Sequence, residues 1–394
     1  MKGTALSSSL QIDPREGWVE RHNREARDVW AAFEADRPIR VPVLFSGART
    51  VYLAENGIDY RTYYEDPDEM FRLQLEWKRR ELELPLGDTI LGETPEAWKV
   101  SVDFHPVASA VSFGCPVTFR PDAVPAHRCA HLSREQCRDM SMPDLQESGL
   151  LPKHRAYSAH FDRRCAGLSF LGRPVRRARP TLPSTGGGTF STALDIRGPE
   201  IMTDMYDEPR FVHDFLDRIA DWQIDLHRVW HRLDGLDYWM DKPGEGEITI
   251  TDHGIDMLSA DMYDQFVAPT ILRLVRTYGK RPATMLHHCG RGVHLFPLVQ
   301  KRFGLTTLHA LTWPINDIAR VRRELGYDIR IVAVIADAIL RTTPDAVRRA
   351  VKEMLTPEVK GPGRLSIWVA GEVTEIPLDN YRSLYEAVRE YGRY

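Results

Sequence analysis

Four short apolar segments decide the fold: ATMLHHC (283–289), TTLHALT (306–312), IRIVAVI (329–335) and LSIWVAG (365–371). Each is a nearly continuous run of apolar residues, as is typical of strands that are buried on both faces of a parallel sheet. Amphipathic segments separate and follow them, and these predict helices over residues 293–303, 315–325, 344–355 and 378–391. Strands that alternate with helices in this way indicate a parallel sheet covered by helices.

The same alternation extends upstream. The spacing of Phe211, Phe215, Ile219, Trp222 and Leu226 predicts a helix over 209–233. LDYWMD (236–241), ITIT (248–251) and RVPVLF (40–45) are further predicted strands, and 89–120 is expected to be rich in β-structure. A closed (β/α)8 barrel and an open doubly wound sheet both fit. At least five successive strand–helix units, with no GxGxxG or P-loop motif, favour the barrel.

We therefore predict a (β/α)8 TIM barrel over residues 37–394, preceded by an N-terminal helical extension over 1–36. An irregular insertion, rich in Arg, Pro and His, is expected around 121–183.

Composition narrows the functional classes. The 394 residues carry a formal charge of −4 and are 43% hydrophobic, which excludes a long disordered protein and gives no basic surface for nucleic acid. Five cysteines, an odd number, argue against a disulfide framework. No apolar run reaches the roughly 18 residues that a membrane helix needs, and no signal segment is evident. A cytoplasmic protein that acts on a small molecule is expected.

In a barrel of this type the active site lies at the carboxyl ends of the strands. His287 and Cys289 follow one strand and are two residues apart, so their side chains are expected on the same side, with His288 pointing away. Imidazole and thiolate together suit Zn²⁺. The alternative is a buried cysteine beside a histidine that is bonded to the backbone.

Further zinc ligands or proton carriers are sought at neighbouring strand ends, where Glu372, His309, His253 and Asp252 lie. Asp252 and His253 interrupt an apolar run and are expected to face the pocket, although a turn with an aspartate cap is the alternative. His309 is equally compatible with a histidine satisfied in the core. Glu372 is equally compatible with the amino end of the last helix.

Three charged residues at strand ends are candidates for binding the substrate. Arg49 follows the first predicted strand and would bind an anion, whereas Asp241 and Asp337 end two others.

Several motifs carry a resemblance to a known family. They are LHHCG (286–290), VIADAILRTTPDAVRRAV (334–351), IPLDNYRSLYEAVREYG (376–392) and DIRGPEIMTDMYDEPRFVHDFLDRI (195–219). Together they resemble the uroporphyrinogen decarboxylase superfamily. LHHCG is most similar to the His-x-Cys-Gly motif of its zinc-dependent methylcobamide methyltransferase branch. The resemblance implies the barrel already indicated by the alternation of strands and helices.

The resemblance also implies a mechanism. One zinc ion per chain would be held by His287 and Cys289, with the third ligand from a segment that here is VAGEVTEIP (369–377). The family's third cysteine falls on Ala370 or Glu372, depending on one gap, and we favour Glu372. Asp252, His253 or His309 would orient the substrate or move protons. The methyl donor would be a corrinoid on a partner protein, and a homodimer is implied.

Departures from the family pattern keep other functions open. The arginine-rich motif of the decarboxylases is LFSGART (44–50) here, and ILGETP (90–95) lacks their aspartate. The alternative is a carboxy-lyase without a metal, acting on a non-porphyrin or porphyrin-like acid whose carboxylate Arg49 binds. A third hypothesis is a non-catalytic barrel that binds a corrinoid or another ligand.

Overall fold

The computed structural model describes residues 17–92, 96–105, 107–179, 187–236, 248–278, 284–371 and 373–394. The strands are β1 (Val43–Phe45), β2 (Trp98–Val100), β3 (Val117–Thr118), β4 (Ala126–His127), β5 (Ser169–Phe170), β6 (Arg173–Arg177), β7 (Ile248–Thr251), β8 (Thr284–His287), β9 (Thr307–Trp313), β10 (Arg330–Ile335) and β11 (Leu365–Val369).

The helices of the first half are α1 (Gly17–Glu34), α2 (Ala48–Asn56), α3 (Tyr60–Glu65), α4 (Pro67–Glu81), α5 (Ala108–Ser112), α6 (Arg134–Asp139), α7 (Leu151–Cys165), α8 (Thr189–Arg197) and α9 (Glu200–Asp207). Those of the second half are α10 (Pro209–Leu233), α11 (Ala260–Met262), α12 (Ala268–Tyr278), α13 (Phe296–Phe303), α14 (Ile318–Leu325), α15 (Asp337–Leu340), α16 (Pro344–Met354), α17 (Pro357–Lys360) and α18 (Leu378–Tyr391). A 3-10 turn (Gly254–Met257) follows β7, and a π-helical turn (Tyr263–Val267) joins α11 to α12.

Six strands of the described residues form one sheet in the order β1-β11-β10-β9-β8-β7, and every neighbouring pair is parallel. Successive strands of the second half are therefore spatial neighbours, and the last one closes onto the first strand of the chain. This is the topology of a (β/α)8-barrel fold, and it confirms the predicted class. The predicted strand that ends at Asp241 lies outside the described residues.

Strand register brings polar residues together at one edge. Thr251 of β7 pairs with His287 of β8, and His287 pairs with His309 of β9. Because all six strands are parallel, their carboxyl ends meet at this edge, which we call the barrel mouth.

A β-bulge follows His309. His309 pairs with Val332 of β10, but the next pair is Leu311 with Ala333, so Ala310 is left over, with φ of +63°. This left-handed conformation is uncommon for a residue other than glycine, and bulges of this kind often redirect side chains near active sites.

The sheet has two distinct faces. On β10, Ile331, Ala333 and Ile335 are fully buried against the helices, whereas Val332 and Val334 are only half-buried on the inner face. Local signals begin the covering helices: the Thr343 hydroxyl accepts a hydrogen bond from the Ala346 amide at the start of α16. The main core therefore lies between sheet and helices, and the inner face stays accessible.

A second hydrophobic cluster lies around the small sheet β2-β6-β5 and helices α2 to α4 and α7. The segment 121–183, expected to be irregular, contains α6, α7 and the β5–β6 hairpin. The β-rich expectation for 89–120 is wrong in its centre. There, small residues form α5, and Gly114 with φ of +92° follows its end.

Within the described ranges, no helix is both long enough and apolar enough to cross a membrane.

Candidate functional site

Two histidines meet at the barrel mouth. His287 ends β8 and His309 lies beside it in β9, and their Nδ1 atoms are 2.8 Å apart. The indole of Trp368, from β11, packs against the His309 ring at a centroid distance of 4.8 Å. One of the two Nδ1 atoms must carry the proton and donate it to the other, so each ring constrains the tautomer of its neighbour.

A thiol and a third imidazole adjoin this pair. Sγ of Cys289 lies 3.7 Å from Nδ1 of His253, and both side chains are exposed. The rings of His253 and His287 meet edge to face at 5.8 Å. We call Cys289, His253, His287 and His309 the histidine–cysteine cluster. It brings together four of the residues that the sequence placed at the ends of three different strands.

The imidazoles of the cluster are held neutral. Burial lowers the pKa of His287 to about 4, and the nearby rings of His309 and His253 lower it further. Partial desolvation also lowers the pKa of His309 and, although its side chain still reaches solvent, of His253. Neutral imidazoles keep a lone pair, which either a metal ion or a substrate proton can use.

The donor types of this cluster fit zinc, since imidazole nitrogen and thiolate are its preferred ligands. Among the described residues, no group of three or more His, Cys, Asp or Glu side chains is placed to hold a metal ion. The expected ligand set includes Glu372, which lies outside those residues. Ligation by His287, Cys289 and Glu372 therefore stays a prediction.

Asp252 does not face the pocket, contrary to the expectation from sequence. Its side chain is fully buried, and Oδ1 accepts hydrogen bonds from the backbone amide of Ser191 at 3.2 Å and from its hydroxyl at 2.5 Å. Burial raises the pKa of this carboxyl to about 7, although the hydrogen bonds from Ser191 oppose the shift. Helix α8 covers the carboxyl, and a cover from a distant segment cannot be foreseen from the local pattern.

Ser191 links that buried carboxyl to the mouth. Its Oγ accepts hydrogen bonds from the backbone amides of His253 at 2.9 Å and Gly254 at 3.0 Å. The same hydroxyl donates a hydrogen bond to Asp252. Asp252 is therefore linked through Ser191 to the backbone that carries His253. His288 is buried with Nδ1 2.9 Å from the Asp252 carbonyl oxygen, which confirms that it points away from the mouth.

Arg49 is already paired within the protein. Its Nη1 donates to Oδ2 of Asp103 at 2.9 Å, and its guanidinium lies over the rings of Tyr60 and Trp77. The hydroxyl of Tyr63 donates to the same carboxylate oxygen at 3.3 Å. Asp103 is 54 positions away in sequence, so the pairing could not be inferred from LFSGART. The structure gives Arg49 a carboxylate of the protein itself as its partner.

Asp337 begins α15 directly after β10, at the strand end where the sequence placed it. It is half-buried, and burial raises the pKa of its carboxyl, an effect that the charge of Arg341 partly offsets. Asp241 lies outside the described residues, as Glu372 does.

One feature beside the cluster is not evident from the sequence. A cavity of about 450 Å³ opens next to His253 and is also lined by His105, His127 and Asp195. These residues come from loops and short elements with no periodic pattern, and only the fold brings them together.

Comparison with known proteins identifies the family. The sequence model of the family described as Uroporphyrinogen decarboxylase (URO-D) matches residues 25–391. Among solved structures, a methyltransferase from Methanosarcina mazei is similar with a TM-score of 0.60. It is 17% identical over 93% of this chain and 98% of that one, which shows a shared fold. No curated protein matches significantly. The match over nearly the whole chain confirms the resemblance seen in the motifs, and this protein belongs to the uroporphyrinogen decarboxylase family.

Proposed function

We propose that this protein is a zinc-dependent enzyme of the methyltransferase type, which activates a small substrate in the barrel mouth. The observation that carries the proposal is the histidine–cysteine cluster at the carboxyl ends of parallel strands. His287 and Cys289 would hold the metal, with Glu372 as third ligand. When bound, zinc would lower the pKa of a substrate thiol or another acidic heteroatom.

The residues around the metal position have separable roles. His309 orients the ring of His287 through the contact between their Nδ1 atoms. His253, next to Cys289, holds or moves a proton of the substrate. Asp252 acts through Ser191 to fix the backbone of His253. Trp368 packs beside His309 and keeps water from that side of the cluster.

A methylated corrinoid on a partner protein would supply the methyl group. Support comes from the open mouth, where His253 and Cys289 are exposed and Met257 keeps 48% of its surface accessible. An accessible rim suits the approach of a bulky cofactor, whereas a closed cavity would exclude it. The homodimer and the cytoplasmic location stay predictions.

A carboxy-lyase remains the second candidate. It would use Asp337, a half-buried carboxyl with a raised pKa, to protonate the carbanion. It would also need Arg49 to bind the substrate carboxylate, and this guanidinium already pairs with Asp103 at 2.9 Å. That competition makes the lyase the weaker candidate.

Metal content distinguishes the two. Protein purified without chelator should contain about one zinc ion per chain by elemental analysis. Zinc far below stoichiometry, with none gained on incubation with zinc salts, would contradict the proposal and favour the lyase.

A further inference from the structure

The cavity beside His253 has mixed chemistry. Ala110, Leu194 and Met257 supply apolar surface, and His127 and Asp195 supply a polar wall. None of the described residues that line it is lysine or arginine, so these residues present no permanent cation to a phosphate or a carboxylate. Its size and lining are those of a site for a small and mainly uncharged organic molecule.

His127 and Asp195 form a pair on this wall. Nε2 of His127 lies 2.9 Å from Oδ1 of Asp195, and the two side chains stay 22% and 30% exposed. A carboxylate only accepts hydrogen bonds, so Nε2 carries the proton and Nδ1 is the basic nitrogen. An imidazole oriented by a carboxylate is a common arrangement for a general base.

Backbone hydrogen bonds also join the two segments that carry this side-chain pair. The backbone amide of Ala130 already bonds to the Asp195 carbonyl at 2.9 Å, and that of Leu132 to the Ile196 carbonyl at 3.0 Å. These bonds attach the segment after β4 to the end of α8. The attachment of these segments therefore does not rest on the contact between His127 and Asp195 alone.

The cavity also adjoins the histidine–cysteine cluster. His253 belongs to both, and its Nδ1 is 3.7 Å from Sγ of Cys289. Asp195 and His253 both line the cavity, so the carboxylate of the basic pair and the imidazole of the cluster border the same space. His105 also lines the cavity, and burial lowers its pKa to about 4, so this imidazole is neutral. A ligand in the cavity would thus lie between a basic pair and the proposed metal position.

We propose that this cavity binds a small, mainly apolar molecule that carries one acidic O–H or S–H group, and that His127 accepts the proton of that group. The O–H or S–H bond breaks and an Nδ1–H bond forms. The substrate keeps the electron pair as an anion, and the imidazolium is neutralised by Asp195. The inference rests on the proposed function for its catalytic meaning, because the anion is the species that would attack a methyl group.

The test uses 4-nitrophenol, whose absorbance distinguishes phenol from phenolate. Wild-type protein should bind it saturably, with a larger phenolate fraction than free probe in the same buffer. His127→Gln should abolish the extra phenolate and weaken binding about tenfold, and Asp195→Asn should act in the same direction. Binding of 4-nitroanisole, which has no acidic proton, should be the same in wild type and His127→Gln.

Two further variants locate the effect. His131→Gln removes an exposed histidine that is 4.0 Å from Glu200 and outside the cavity lining, and it should behave as wild type. Met257→Trp places a bulky side chain at the rim and should weaken binding of both probes. Absence of saturable binding, an undiminished phenolate signal in His127→Gln, or unchanged binding in Met257→Trp would each overturn the inference.

Zinc content separates this inference from the proposed function. His127→Gln should keep the zinc content of wild type, because His127 is not among the proposed ligands. Wild-type protein that lacks zinc but shows the phenolate signal would contradict the proposed function alone. Zinc-loaded protein without that signal would contradict the inference alone.

Discussion

Nδ1 of His287 and Nδ1 of His309 lie 2.8 Å apart on paired positions of adjacent strands. If Nε2 of His287 binds zinc, its Nδ1 must carry the proton and donate it to His309. His309 must then be a neutral ring with its proton on Nε2, and its lowered pKa favours the neutral form. The pair therefore sets the tautomer that a metal ligand at position 287 requires.

Removing His309 tests this relationship. His309→Phe keeps a ring against Trp368 but removes the acceptor, so zinc affinity should fall about 10–100-fold. His309→Gln should lose less zinc affinity, because the amide oxygen of glutamine can accept the same hydrogen bond. Competition with a chromophoric chelator measures both affinities. If His309→Phe binds zinc as tightly as wild type, His309 does not orient His287.

Cys289→Ser should remove zinc and activity but leave the fold nearly intact. Cys289 is exposed at the mouth, so the substitution opens no cavity in the core. Its melting temperature should fall no further than that of wild type treated with chelator, since only the linkage to metal binding is lost. Cys165→Ser, on α7, is the matched control and should keep zinc. A Cys289→Ser variant that cannot fold would indicate a structural cysteine.

Glu372 distinguishes this chain from relatives with a third cysteine. Glu372→Ala should lower zinc affinity by about tenfold or more, and Glu372→Cys should keep zinc and shift substrate preference away from oxygen-bearing molecules. If Glu372 only interacts with the start of the last helix, alanine should cost about 1 kcal/mol of stability without changing zinc affinity. Of the other candidates, Asp252, His253 and His309, the third ligand would then be sought at the two histidines, because the Asp252 side chain is buried.

The buried Asp252 predicts a pH dependence of stability. Its pKa is about 7 in the folded protein, against an ordinary value of 3.8, so the folded state binds an extra proton between these two pH values. This stabilisation is complete below pH 3.8 and is lost as the pH rises through 7, with about 4 kcal/mol as its upper order of magnitude.

The side chain in the Asp252→Asn variant cannot ionise. This variant should therefore lack the pH-dependent contribution to the free energy of unfolding. Urea unfolding of both proteins from pH 4 to 8 should show the wild type losing its advantage as the pH rises. A stability difference that stays constant over this range would mean that Asp252 does not titrate there.

Local pattern predicted the barrel well, because its strands are continuous apolar runs with helices between them. The run 329–335 is β10 (Arg330–Ile335), and the helix over 209–233 is α10 with the same bounds. Strand ends also placed His253, His287, Cys289 and His309 on one edge, since parallel strands must end together.

The features that could not be predicted from the sequence depend on contacts between segments that lie far apart in the chain. Asp252 is buried because α8, some sixty residues earlier, covers it with Ser191. Arg49 is occupied by Asp103, and His127 meets Asp195 across a similar distance in sequence. Such pairs are not reflected in the hydrophobic periodicity of either segment. Single residues can therefore be identified from the sequence, but their partners cannot.

The bulge at Ala310 shifts the alternation of side chains between the two faces of β9 by one residue. Leu308 and Leu311 both reach the core and pair with Ile331 and Ala333 on one face of β10, although they are three residues apart. Strict alternation would have turned Leu311 to the side of His309. The extra residue thus keeps the apolar side chain of Leu311 out of the barrel mouth, where the imidazoles lie. The extra residue in β9, as well as the side chains that the strand carries, therefore determines how polar the barrel mouth is.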